Sequence, residues 1–173
     1  PGATDMTIKT IFDPETGRIL GAQIVGFEGA DKRIDVLATA IRARMTAADL
    51  EELDLAYAPP YSSAKDPVNM AGFVIENIRA GLVAQHHWSD VARLQQEGAQ
   101  LLDVRTEGEF ARGHIEGAIN IPLDELRGRT EELDPERTVY VNCHSGLRSY
   151  VACRMLPGHG LACSNLSGGY RFY

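Results

Sequence analysis

Little in this 173-residue chain is basic, and little is cysteine: 17 Lys and Arg stand against 24 Asp and Glu, for a formal charge of −7, with three Cys. The deficit is uniform, with 8 basic and 12 acidic residues up to position 85 and 9 and 12 after it. Neither half offers the basic footprint on which nucleic-acid affinity rests. No apolar run approaches the 18 or so residues of a membrane span. The opening Pro1-Gly2-Ala3-Thr4-Asp5 has neither the basic flank nor the apolar core of a signal peptide, and it lacks an initiator Met. The expectation is a piece of something longer, working in the cytoplasm. No Gly-x-Gly-x-x-Gly fingerprint occurs, so no dinucleotide cradle is written here.

Cys143, Cys153 and Cys163 make an odd set without a CxxC, which argues against a disulfide framework. His144 and His159 do not stand at zinc-ligand spacing from them, so no metal site is expected. What is abundant is apolar side chain, 44% of the total, enough to build one ordinary domain or two small ones.

The first half reads as an α+β unit. β-rich runs at 6–12 and 19–27 flank Asp13-Pro14-Glu15-Thr16-Gly17, whose Pro and Gly supply a hairpin turn. Ile34, Leu37, Ile41 and Met45 recur at helical spacing. Thr46-Ala47-Ala48-Asp49 has the form of a capping box. Tyr57-Ala58-Pro59-Pro60-Tyr61-Ser62-Ser63 must be extended or turning, and Pro67 suits the first turn of a helix reaching Ala80.

The second half alternates. A helix from Ser89, a short strand at Leu101–Val104, a helical turn at Glu107–Ala111 and strands at 118–121 and 139–142 follow in order. A helix over Arg148–Leu156 and a last strand at 162–166 close it. This rhythm predicts a parallel α/β sheet, whose ligands gather at the carboxyl ends of strands. The expected division is a domain over 1–81, a linker over 82–87 and a domain over 88–173.

Cys143 stands where a buried strand ends. Cys143-His144-Ser145-Gly146-Leu147-Arg148 can curl successive N–H groups toward one point beside a helix start, favouring a thiolate over a thiol. Gly146 permits the tight curl, Ser145 can donate a hydrogen bond and Arg148 adds fixed positive charge. His144 is equally readable as a tuning group or an exposed histidine. These are the ingredients of a nucleophilic cysteine with a cradle for an anion. The competing reading makes Cys143 a small buried hydrophobe, as Cys153 and Cys163 are expected to be.

The same residues carry a family resemblance. Leu102-Asp103-Val104-Arg105 with Glu107, Glu109 and Phe110, then Gly113-His114-Ile115-Glu116-Gly117-Ala118-Ile119-Asn120-Ile121-Pro122, resemble signature elements of rhodanese domains. Cys143–Arg148 is similar to their active-site loop and Asn165-Leu166-Ser167-Gly168-Gly169 to their closing turn. The resemblance implies a parallel five-stranded sheet with helices on both faces and a Cys143 persulfide that carries sulfane sulfur. His144, Ser145, Gly146 and Leu147 would line the substrate loop, and Arg148 would hold the loop or the substrate. Asp103, Arg105 and His114 would be architectural. Related phosphatases and arsenate reductases use a loop one residue longer, which sets them behind sulfur transfer.

Lys9-Thr10-Ile11-Phe12-Asp13 with Gly17–Gly26, Asp31-Lys32-Arg33-Ile34-Asp35 and the segment from Tyr57 to Asn69 resemble the dimerisation domain of flavin-dependent pyridine nucleotide-disulfide oxidoreductases. The likeness is to the coenzyme A-disulfide reductase branch, some members of which carry a C-terminal rhodanese domain. It implies a homodimer in which Tyr61 and Tyr57 reach the partner's reductase site. It also implies FAD, NAD(P)H and a coenzyme A substrate for a full-length parent, with no cofactor held by these 173 residues. The rival from another class is a non-catalytic dimerisation or docking module.

Overall fold

The computed structural model describes residues 4–58, 62 and 64–173, which divide into two compact units, Pro1–Gly81 and Leu82–Tyr173. In the first unit, β1 (Met6–Phe12) and β2 (Ile19–Gly26) pair antiparallel. The Asp13 carboxylate accepts the Glu15 and Thr16 N–H groups at 2.8 and 3.1 Å and so closes the hairpin turn. Alternation along the strands sends Ile8, Phe12, Ala22 and Ile24 to one face. A register shift between Ile11 and Phe12 brings Ile19 opposite Phe12 to join them in the core with Leu37 and Ala40 of α1 (Ala30–Ala43).

Helix α2 (Ala47–Glu51) starts at a capping box: Asp49 N–H donates to Thr46 Oγ1 at 3.3 Å and Thr46 N–H to Asp49 Oδ2 at 2.7 Å. Helix α3 (Pro67–Arg79) is capped by Asp66, which accepts the Val68 N–H at 3.0 Å. Asp66 is also gripped by Arg33, at 3.1 Å from Nε and 2.8 Å from Nη2. Burial alone would raise the Asp66 carboxyl, but the Arg33 and Val68 hydrogen bonds outweigh it and hold it low. Ile19, Leu37, Ala40, Ala47, Leu50, Val68 and Ile75 form the core. Tyr57 is exposed, and Tyr61 lies outside the described residues.

The second unit is a five-stranded parallel sheet. In chain order it contains β3 (Ala84–His86), α4 (Trp88–Gln96), β4 (Gln100–Asp103), α5 (Glu107–Ala111) and β5 (Ile119–Asn120). Then come α6 (Leu123–Leu126), β6 (Val139–Asn142), α7 (Leu147–Met155) and β7 (Cys163–Leu166). The spatial order is β3-β7-β6-β4-β5.

Residues 84–86 correct the reading of 82–87 as a linker. Ala84, Gln85 and His86 pair with Ser164, Asn165 and Leu166 and so begin the sheet. Three residues, two of them polar, carry almost no strand signal in a sequence, and only the partner strand makes them one.

The sheet is covered on both faces. Leu102, Val139, Val141 and Cys143 pack with Leu126 of α6 and Ala152, Cys153 and Leu156 of α7 or just beyond it. Leu101, Tyr140 and Leu166 point the other way, toward Val91 and Leu94 of α4. Period-two alternation thus fixes which side Cys143 takes. It follows Val139 and Val141 onto the α7 face.

Candidate active site: the loop after β6

Strand β6 ends at Asn142, and helix α7 begins at Leu147 with Gly146 as its N-cap. Gly146 has φ +103°, a conformation that lets the chain fold back within four residues. The turn brings Cys143 Sγ within 3.1 Å of the Gly146 N–H. Ser149, in the first turns of α7, donates its hydroxyl to the same sulfur at 3.3 Å. The thiol is 1% exposed and Ser149 0%.

The buried sulfur thus has a backbone amide and a hydroxyl within hydrogen-bond reach, donors that can meet charge arriving on it during a reaction. The sequence predicts a ring of converging amides. The structure has one amide and one hydroxyl at the sulfur. Ser149 belongs to no motif that the sequence displays, although it follows Arg148 directly and lies six residues after the cysteine, where a helix starting in the loop turns back over the strand end.

His144, Ser145 and Leu147 face outward around this sulfur, Leu147 at 69% exposure. The loop's other edge is fastened to the chain end. Tyr170 N–H donates to the Cys143 carbonyl at 2.7 Å and Arg171 N–H to the His144 carbonyl at 3.0 Å. Gly169 lies directly below: a Cβ there would stand 2.6 Å from the Cys143 oxygen.

Arg148 does not aim at the sulfur as a free cation. Its Nη1 and Nη2 donate to the two oxygens of Glu109, each at 2.7 Å. Glu109 in turn accepts the Thr106 N–H and hydroxyl, both at 3.0 Å, in the capping box of α5. The Arg148 hydrogen bond, with help from Thr106, keeps the Glu109 carboxyl well below the usual range. Glu109 correspondingly raises the guanidinium, with a smaller contribution from Cys143. The pair ties the loop to α5 while its charge is largely neutralised.

Asp103, Arg105 and His114 lie away from the sulfur's donors. Arg105 is 3% exposed, donates from Nε and Nη2 to Asp103 (closest 2.7 Å) and from Nη2 to the Gly113 carbonyl at 2.8 Å. Its guanidinium lies 4.1 Å from the centre of the Tyr170 ring. The buried ion pair therefore fixes the residue whose N–H holds the Cys143 carbonyl. His114 is exposed and stacks on Phe110 with ring centres 3.8 Å apart. Cys153 lies on the buried face of α7, and its thiol is raised by a hydrogen bond with Cys163 and by burial, while that bond lowers Cys163. Among the described residues no three His, Cys, Asp or Glu side chains gather as a metal site would need. No helix among them is long and apolar enough to cross a membrane.

Residues 88–172 match the rhodanese-like domain family, and residues 1–67 match the dimerisation domain of pyridine nucleotide-disulphide oxidoreductases. The coenzyme A disulfide reductase of Staphylococcus aureus is 47% identical over 73 residues, which is 42% of this chain and 17% of that protein. The crystal structure of reduced Bacillus anthracis CoADR-RHD superposes with a TM-score of 0.97 at 50% identity, over 100% of this chain and 31% of that one. A NAD-dependent persulfide reductase from A. fulgidus gives 0.83 at 41% identity, over 97% and 30%. The chain thus spans under a third of the length of these relatives. Its two units are a dimerisation domain of the pyridine nucleotide-disulphide oxidoreductase kind followed by a rhodanese-like domain, and together they are similar to the matching part of Bacillus anthracis CoADR-RHD.

Proposed function

We propose that the second unit is a sulfurtransferase that moves sulfane sulfur through a persulfide on Cys143. The observation that supports this is the Cys143 sulfur at the end of β6, with a backbone amide at 3.1 Å and a hydroxyl at 3.3 Å and otherwise sealed from water. The thiolate attacks the outer sulfur of a donor such as thiosulfate or a low-molecular-weight persulfide. One S–S bond forms as another breaks, and sulfite or a thiolate leaves. An acceptor thiol or cyanide then takes the outer sulfur and returns Cys143 to its ionised form. His144, Ser145, Gly146 and Leu147 border the entry, and Arg148 serves by holding the loop through Glu109. Asp103 and Arg105 support it through Tyr170, and His114 is structural.

The relatives extend the proposal to a longer protein. There the first unit dimerises, and Tyr57 and Tyr61 reach the reductase site of the second subunit, which acts on coenzyme A disulfide or persulfide. FAD and NAD(P)H belong to such a parent's other domains: no glycine-rich strand-turn-helix of the kind that cradles a dinucleotide occurs in this sequence. Val25 and Phe27 of the first unit, 75% and 95% exposed, suit a subunit contact. Sedimentation at micromolar concentration should give a dimer, and a monomer at every concentration would refute that part. Three free cysteines suit a reducing cytoplasm, which fractionation of the native cells would test.

The decisive test compares the chain with Cys143→Ser, following thiosulfate-to-cyanide and persulfide-to-thiol transfer and weighing the intact protein. We expect the parent chain to gain one sulfur and turn over, and the variant to do neither. A rival reading, favoured by the 1% exposure of Cys143, makes the unit a docking scaffold. Equal transfer rates in the two proteins, or no sulfur gained by either, would favour it.

A further inference from the structure

The Ser149 hydroxyl has one proton and two acceptors in reach, Cys143 Sγ at 3.3 Å and the Gly146 carbonyl at 3.1 Å. That carbonyl does not depend on it. Tyr150 N–H donates to the same oxygen at 3.0 Å and Asn165 Nδ2 at 3.4 Å. Both lone pairs are thus occupied without the serine, and a carbonyl so supplied loses little when the hydroxyl turns away. Ser149 is 0% exposed, so no solvent competes for its proton. The sulfur's demand for that proton changes through a transfer cycle. With a free thiolate the charge sits on Sγ. In a persulfide it moves to the outer sulfur, and the inner one becomes a weak acceptor.

We propose that Ser149 is a catalytic residue of sulfur discharge, its hydroxyl swinging from the Gly146 carbonyl to Cys143 Sγ as the persulfide S–S bond breaks. The proposal rests on the sulfurtransferase reading and adds the group that stabilises its leaving thiolate. With cyanide as acceptor, a carbon–sulfur bond forms to the outer sulfur and the S–S bond opens. Its electron pair stays on Cys143 Sγ, and thiocyanate departs: Cys–S–S⁻ and CN⁻ become Cys–S⁻ and SCN⁻. No oxidant, reductant or proton is consumed. A hydrogen bond that strengthens as charge arrives on Sγ favours this step selectively. In loading, Sγ begins as the charged acceptor and gives that charge up, so a bond to the thiolate does not favour that step.

The half-reactions separate the roles. Sulfite release from thiosulfate reports loading. Thiocyanate release from the isolated persulfide reports discharge. Ser149→Ala should discharge about tenfold more slowly, as expected for loss of one hydrogen bond to a charged atom, and load within about twofold of the parent chain. Ser149→Cys, near in size and a weaker donor, should fall between them. Should the alanine variant not fold, the cysteine variant alone carries the test. Discharge at the parent rate, or equal slowing of both half-reactions, would overturn the proposal. A parent chain that gains no sulfur at Cys143 would overturn the sulfurtransferase reading, and the role of Ser149 with it.

Discussion

The guanidinium of Arg148 faces the carboxylate of Glu109 through two parallel 2.7 Å hydrogen bonds, joining the last residue of the cysteine loop to the first turn of α5. The contact spans 39 residues of sequence, so it holds the loop's exit rather than its centre. Each partner is about a quarter to a third exposed, which limits what the pair adds to global stability. Its main effect is local order. Arg148→Lys keeps the charge but loses the fork, and Glu109→Gln removes the acceptor pair; each should slow sulfur transfer about tenfold. The double variant should be little worse than either single one, because both remove the same contact. Steady-state transfer rates across the four proteins check this, and additive losses would assign the residues separate roles. Since Glu109 is held low by Arg148, its contribution is complete above about pH 4.5 and fades only as pH falls through its folded value.

Gly169 sets the floor beneath the loop. Its φ of +66° already disfavours a side chain, and a Cβ would come within 2.7 Å of the His144 carbonyl carbon and oxygen as well as the Cys143 oxygen. All are backbone atoms, which cannot swing aside. Gly169→Ala should therefore lower stability by about 2–4 kcal/mol and displace Cys143 from its donors. Urea unfolding would measure the first effect, and sulfur gain by intact mass the second. A variant as stable and as reactive as the parent would mean that the loop can lift without cost.

Much of this architecture is legible in the sequence because local signals agree with the tertiary answer. The hairpin has its Pro and Gly turn, Thr46 and Asp49 form the expected capping box, and Pro67 opens its helix. Cys143 is legible for the same reason, since Val139-Tyr140-Val141 reads as a buried strand that must end somewhere. What escapes is what depends on distant partners. β3 is a strand only because β7 lies beside it. Arg148 reads as free charge until Glu109, 39 residues away, is brought to it. Ser149 looks like an ordinary helix residue until the turn at Gly146 folds it back over the sulfur.

His86 of β3 supplies a pH dependence that no loop residue accounts for. Its ring is 8% exposed, with Nδ1 3.0 Å from Ser164 Oγ and the Tyr140 ring edge-on at 5.2 Å. Burial drives the imidazole down to about 4 from an ordinary 6.5; nearby Asp90 opposes this and His87 adds to it slightly. A histidine whose folded value is depressed is bound neutral, so protons are taken up more readily by the unfolded chain. The stability it confers is complete above pH 6.5 and is lost progressively as pH falls from there through 4. By the cost of a pKa unit the loss is on the order of 3 kcal/mol. His86→Phe removes the titrating group and keeps an aromatic ring of similar breadth. Urea midpoints between pH 7 and 4 should fall more steeply for the parent chain than for this variant, with the gap opening below pH 6.5. Parallel curves would show that the imidazole accepts its proton without disturbing the edge of the sheet.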